Sequence, residues 1–182
     1  MTIPTQLSKI NYSLVIPVYN EEESLEGLVS EIQQAMARYV RCASYEIIFV
    51  NDGSLDQSTA ILDRLRQRFP DEIRRLHFLK RGGQTFALRQ GLGSARGNIV
   101  ITLDGDLQND PADIPRLLEK MSEGYDCVCG WRRSRQDTLL KAGLSKCGNI
   151  LQHLLTGLSI HDVSCTLRVY KQECVARIPL NW

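Results

Sequence analysis

The 182 residues carry 22 Lys and Arg against 21 Asp and Glu, a formal net charge of +1, with 24% charged and 43% hydrophobic residues. This balance describes an ordinary folded domain without the strongly basic face of a nucleic-acid binder, so no nucleic-acid partner is expected. The length suits one domain with a sizeable core, and no window reaches about 18 uninterrupted apolar residues, so no membrane-spanning helix is predicted.

The N-terminal residues MTIPTQLSKINY lack the apolar core of a signal peptide. The six cysteines, Cys42, Cys127, Cys129, Cys147, Cys165 and Cys174, form no CxxC pair and read as reduced thiols of a cytosolic protein. Cys127 and Cys129 are expected to share the buried face of a strand.

Taken in order, Ser13–Val18 reads as a first strand. Tyr19-Asn20-Glu21-Glu22-Glu23-Ser24 then opens a helix that runs to about Tyr39, with acids in its first turn and Leu25, Leu28, Val29 and Ile32 as its apolar stripe. Tyr45–Val50 is a second strand, and it runs into Asn51-Asp52-Gly53-Ser54-Leu55-Asp56-Gln57-Ser58, which combines turn residues with N-cap candidates for a helix over Thr59–Arg68. Arg75–Leu79 makes a third strand, Arg81-Gly82-Gly83-Gln84 a turn, and Thr85–Ala95 a third helix.

The fourth strand is the informative one. Ile99–Leu103 is continuously apolar or β-branched, which suits burial on both faces of a parallel sheet, and it stops at Asp104-Gly105-Asp106. Asp104, Asp106 and the Gln108 amide oxygen can converge on one hard cation, and an all-oxygen set favours Mg2+ or Mn2+ over zinc. Asp-Gly-Asp on its own reads first as a polar turn after a strand, and only its context favours a metal site. Gly105 is expected to provide the sharp turn.

Pro111–Ser122 then forms a helix and Tyr125–Trp131 a fifth strand. Arg132-Arg133-Ser134-Arg135 is a dense cationic loop, and Thr138–Leu158 an amphipathic helix that covers the core or lies at a membrane surface. Asp162–Tyr170 reads as a loop entering a strand, and Gln172–Ile178 as a short last helix. Alternating strands and helices predict an α/β, doubly wound, mainly parallel sheet with helices on both faces, whose carboxyl edge gathers Glu21, Asp52, Asp104 and Asp106. A metal-bound nucleoside diphosphate suits such an edge. The dinucleotide and P-loop glycine fingerprints are absent, which argues against a dehydrogenase or an ATPase.

Val15-Ile16-Pro17-Val18-Tyr19-Asn20-Glu21-Glu22, Val50-Asn51-Asp52-Gly53-Ser54, Arg81-Gly82-Gly83-Gln84, Leu103-Asp104-Gly105-Asp106-Leu107-Gln108-Asn109 and Asp162-Val163-Ser164-Cys165-Thr166-Leu167-Arg168 together resemble glycosyltransferase family 2, of GT-A fold. Within it the chain is most similar to polyprenyl-phosphate glycosyltransferases such as dolichol-phosphate mannose synthase. The resemblance implies one catalytic domain over residues 1–182, with 1–11 as a flexible lead. Many relatives carry transmembrane helices downstream, so the chain is expected to be a natural short form or a truncated catalytic piece.

The resemblance also assigns roles. Pro17, Tyr19, Glu21 and Asp52 match positions that hold the base and ribose of a UDP- or GDP-sugar, with Gly82 and Gln84 in the neighbouring turn. Asp104 matches the first acid of the metal motif, and Asp106 with Gln108 the metal-contacting pair. Arg132, Arg135 and Lys141 match basic positions near the donor and acceptor phosphates, and Arg168 the arginine after the later Asp motif. Asp162 either orients a basic side chain or the acceptor, or simply forms a turn. The family often has Ser-Gly-Phe-Arg where this chain has Ser164-Cys165-Thr166-Leu167-Arg168.

The implied reaction is a metal-dependent, inverting transfer of a sugar to a polyprenyl phosphate, undecaprenyl or dolichyl, at the cytoplasmic face of a membrane. Alternatives are a polysaccharide or other hydroxyl acceptor, a non-catalytic nucleotide-sugar-binding module, and a nucleotidyltransferase.

Overall fold

The computed structural model describes residues 10–39, 44–131, 165–175 and 177. In chain order its elements are β1 (Tyr12–Val18), α1 (Leu25–Tyr39), β2 (Tyr45–Asp52), α2 (Ser58–Arg68), β3 (Ile73–Phe78), α3 (Gln84–Ser94) and β4 (Ile99–Thr102). A 3-10 turn (Pro111–Asp113) then leads into α4 (Ile114–Ser122), and β5 (Cys127–Cys129), β6 (Arg168–Lys171) and α5 (Gln172–Val175) follow.

The described strands form one six-stranded sheet in the order β3-β2-β1-β4-β6-β5. The pairings among β3, β2, β1 and β4 are parallel, whereas β6 runs antiparallel to both β4 and β5. The mainly parallel α/β architecture expected from the sequence is therefore present, and the insertion of β6 between β4 and β5 is new. Asn11 is already tied to the sheet: its N–H donates to the Ser44 carbonyl at 2.9 Å and its carbonyl accepts from the Ile99 N–H at 3.1 Å.

The strands are apolar on both sides because both faces are covered. Leu14, Ile16 and Val18 of β1 join Ile47 and Phe49 of β2 and Ile101 of β4 in a core with α1, α2 and α4. Val15, Ile48, Val50 and Val100, the alternate residues, pack on the opposite side with Ala87 and Leu92 of α3 and Val175 of α5. Helix α3 lies very close to the sheet at Gly91, where an added Cβ would fall 2.3 Å from Val15 Cγ1 and 2.9 Å from Val50 Cγ2.

The boundaries of β3 and β5 depart from the sequence reading for different reasons. β3 begins at Ile73 rather than Arg75 because Arg74 is neutralised by the buried Glu46 carboxylate at 2.6 Å and Arg75 pairs with Asp63. β5 keeps only Cys127–Cys129 and forms the end of the sheet, so Cys127 is exposed and Cys129 half-buried, with their sulfurs 3.9 Å apart. The pair does share a face, as expected, but that face is not buried, because it is not covered as the faces of the central strands are.

Among the described residues no helix is long and apolar enough to cross a membrane. The predicted helix at 138–158 lies outside the described residues.

Candidate active site

Three neighbouring parallel strands, β2, β1 and β4, end on the same edge, and the order of the chain reverses between β1 and β4. Ligands of open α/β sheets sit at such a switch point. Here the edge forms a pocket of about 360 Å³ lined by Pro17, Tyr19, Glu21, Asp52, Arg81, Gln84, Asp104, Gly105 and Asp106, among others.

The β1–α1 and β2–α2 loops brace one another reciprocally. The backbone N–H groups of Asn20 and Glu21 donate to the hydroxyls of Ser54 (3.0 Å) and Ser58 (2.9 Å), while the Asn20 and Glu22 side chains accept the N–H groups of Leu55 (2.8 Å) and Gln57 (2.7 Å). Asn20 adopts a left-handed φ of 56° to do this.

Asp52 is buried, and its two oxygens accept the backbone N–H groups of Gly82 and Gly83, each at 2.7 Å. It does not cap α2; Asn51 serves the following turn instead, accepting the Ser54 N–H at 3.0 Å and donating to Thr59 Oγ1 at 2.8 Å. Asp52 thus pins the Arg81–Gln84 turn against the strand ends. Gly53, at φ 72°, permits that contact, since a Cβ there would sit 2.9 Å from the Arg81 nitrogen.

Pinned in this way, Arg81 places its guanidinium 3.9 Å from the centroid of the Tyr19 ring, a cation over an aromatic face inside a pocket whose other charged lining residues are acids. The sequence reading did not select Arg81. Its signal was a lone arginine beside two glycines in a turn at the carboxyl edge.

Asp104 is held from two sides. Gln84, the first residue of α3, donates through Nε2 to Oδ1 at 2.8 Å, and the Thr166 hydroxyl donates to Oδ2 at 2.6 Å. Asp106 is exposed and accepts the Gln108 backbone N–H at 3.0 Å. Gln108 itself lines an adjoining cleft rather than the carboxylate pocket.

Gly105 is not in the left-handed region; the residue of this turn that is left-handed is Leu107, at φ 60°. What Gly105 provides is close approach: a Cβ would lie 3.3 Å from the Pro17 carbonyl and 3.4 Å from Glu21 Cγ, and its own carbonyl accepts the Ser24 hydroxyl at 2.6 Å.

The acids repel one another. Glu21 has its carboxyl pushed up from the ordinary value by burial first and then by the charge of Asp106, with smaller contributions from Asp104 and Asp56; a hydrogen bond from Ser24 opposes the shift. A divalent cation relieves such crowding, and the donors present are oxygens. Among the described residues no three His, Cys, Asp or Glu side chains cluster closely enough to hold a metal alone. The donors in the pocket, carboxylate oxygens without nitrogen or sulfur, are of the kind a hard divalent cation takes.

Arg168 lies on β6 opposite Cys129, where its Nε donates to the Cys165 carbonyl at 2.8 Å; it is not among the residues lining the carboxylate pocket. Arg132, Arg135, Lys141 and Asp162 lie outside the described residues.

Residues 13–178 match the family described as Glycosyl transferase family 2. The chain belongs to glycosyl transferase family 2. It is 35% identical over 176 residues to a dodecaprenyl-phosphate galacturonate synthase of Rhizobium johnstonii, covering 96% of this chain and 52% of that protein. It is 39% identical over 163 residues to an undecaprenyl-phosphate 4-deoxy-4-formamido-L-arabinose transferase of Pseudomonas aeruginosa, covering 90% and 48%. The chain therefore spans about half the length of the curated relatives it matches.

Solved GT-A structures share the fold. A mannosyltransferase from Pyrobaculum calidifontis in complex with GDP-Man and Mn2+ superposes with a TM-score of 0.67 at 19% identity, over 93% of this chain and 46% of that one. Glucosyl-3-phosphoglycerate synthase from Mycobacterium tuberculosis, in complex with Mn2+, UDP and phosphoglyceric acid, gives 0.66 at 20% identity, over 90% and 56%.

Proposed function

We propose that this family 2 domain catalyses the divalent-metal-dependent, inverting transfer of a sugar from a UDP- or GDP-sugar to a polyprenyl phosphate at the cytoplasmic face of a membrane. The observation that carries the donor half is the convergence of Tyr19, Glu21, Asp52, Asp104 and Asp106 on one pocket from three adjacent strand ends. The acceptor half is supported by the two polyprenyl-phosphate transferases to which the chain is 35% and 39% identical.

In this reading Tyr19 and Pro17 flank the base, Arg81 adds the cation that an anionic ligand needs among the acids, and Asp52 keeps the Gly82–Gly83 turn beside it. Asp104 and Asp106 are the metal-side oxygens, with Gln108 nearby. Mg2+ or Mn2+ supplies neutralisation of the departing diphosphate. The sugar C1–O bond to that diphosphate breaks with its electron pair leaving on oxygen, and a phosphate oxygen of the acceptor forms the new bond from the opposite face. An acceptor phosphate is already anionic near neutral pH, so no side chain has to remove a proton, unlike a hydroxyl acceptor. Arg132, Arg135 and Lys141 are assigned to the phosphates, Arg168 to the acceptor side, and Asp162 to orienting one of these groups.

The test is a turnover assay with UDP- and GDP-sugars against undecaprenyl and dolichyl phosphate, with Mn2+, Mg2+ and chelator arms. Chelator-sensitive formation of a lipid-linked sugar is expected. Product only with a hydroxyl acceptor, or nucleotide binding without any turnover, would overturn the assignment.

A further inference from the structure

Thr166 stands at the centre of a directed set of hydrogen bonds. Its hydroxyl donates to Asp104 Oδ2 at 2.6 Å and accepts from Asn109 Nδ2 at 2.8 Å, and its backbone carbonyl accepts the Thr102 hydroxyl at 2.7 Å. The direction is forced: an amide NH2 can only donate and a carboxylate can only accept, so the single hydroxyl proton belongs to the bond with Asp104. Asn109 is buried, and its Oδ1 accepts the Cys165 thiol at 3.5 Å.

The segment carrying Thr166 is itself fixed. Cys165 and Leu167 are both buried, the Leu167 carbonyl accepts the Gly130 N–H at 2.8 Å, and a Cβ at Gly130 would press on that carbonyl at 3.0 Å and on the Cys165 sulfur at 3.1 Å. The backbone therefore cannot swing Thr166 away without opening the β5–β6 end of the sheet.

We propose that Thr166 is a positioning residue for donor binding: its hydroxyl fixes the orientation of the Asp104 carboxylate, opposite the clamp made by Gln84. The inference rests on the donor reading given above, with Asp104 facing the metal–diphosphate group. Two donors, one on each oxygen, set the plane of the carboxylate before any ligand arrives, and a ligand-binding group held in this way loses less freedom on binding. It also makes the donor pocket depend on residues 165–167, which lie more than 60 positions after Asp104 in the chain.

The experiment is calorimetric titration of the 182-residue chain with UDP and GDP in the presence of Mn2+, alongside thermal unfolding. Thr166→Val keeps the shape of the side chain and removes the hydroxyl; it is expected to weaken the nucleotide–Mn2+ complex by roughly 10-fold to 100-fold. Thr166→Ser, which retains the hydroxyl, recovers most of that loss. In an Asp104→Ala background Thr166→Val adds nothing further to the weakening, since the bond acts through that carboxylate.

Unchanged affinity in Thr166→Val with a lowered melting temperature, failure of Thr166→Ser to recover binding, or a full additional loss in the Asp104→Ala background would each overturn the proposal. Failure of the unaltered chain to bind either nucleotide would instead overturn the donor reading on which it rests.

Discussion

The Asp52 carboxylate grips the Gly82 backbone N–H at 2.7 Å across 30 residues of chain, and the Gly83 N–H at the same distance. A residue at the end of β2 thereby shapes the turn that delivers Arg81 and Gln84. Asp52→Ala leaves two N–H groups facing a cavity, which costs about 1–3 kcal/mol of stability. Urea unfolding measures that loss, and nucleotide affinity is expected to fall with it because the turn no longer holds Arg81 beside Tyr19.

Asp106→Ala separates ligand binding from folding. The side chain is exposed and its recorded partner is a neighbouring backbone N–H, so the melting temperature changes little. Metal-dependent turnover is expected to drop by about 100-fold or more, as when a group stabilising transition-state charge is removed. Full activity with an unchanged Mn2+ optimum would remove Asp106 from the metal.

Arg81→Ala tests the cation in the pocket. An exposed cation over an aromatic ring contributes ~0.5–1 kcal/mol, so stability changes little. Donor affinity is expected to weaken more than this, because the diphosphate then meets four acids without a compensating guanidinium. The apparent KM for the nucleotide sugar reports it, and Arg81→Lys should recover part of the loss.

Glu21 gives the ligand-free protein a pH dependence of definite sign. Its folded-state carboxyl is raised above the ordinary value, so the folded protein binds the proton more tightly than the unfolded chain. The corresponding stability is fully present below the unfolded value near 4.5 and is lost as pH rises through the higher folded value. Glu21→Gln should flatten the melting temperature across that window. A slope identical to that of the parent protein would show that the other acids carry it.

Gly105→Ala probes close approach rather than backbone freedom. The added methyl meets the Pro17 carbonyl at 3.3 Å and Glu21 Cγ at 3.4 Å, so the β1 and β4 ends must separate slightly. Nucleotide affinity should fall while the fold persists, measurable by titration and by circular dichroism.

Much of this was legible in the sequence, for identifiable reasons. Continuous apolar runs ending in Val18, Asp52 and Asp104 announce buried parallel strands with acids at one edge, because period and burial are local properties. The antiparallel β6 was not legible as a wedge: Arg168–Lys171 forms a strand through partners at Ile99–Thr102 and Cys127–Cys129, which no local pattern reveals. Asp52 as a backbone anchor escaped for the same reason, since a side chain bonded to amides 30 residues away has no sequence signature. Cys127 and Cys129 misled because alternation marks a shared face but not whether anything lies upon it. Leu107 at φ 60° is a further surprise, as glycine and asparagine are the usual markers of left-handed turns.

The place of β6 also sets an order of events during synthesis. β1 to β4 pair among themselves within residues 12–102 and can assemble as soon as that stretch emerges from the ribosome. β5 must wait, because its partner is β6, which follows it in the chain by some forty residues. Until residue 171 is available the free side of β4 is an open strand edge and Asp104 lacks the Thr166 hydroxyl. Of the pocket's acids, Asp104 alone has a bond to this late segment, whereas the contacts of Asp52 and Asp106 are made within residues 52–108.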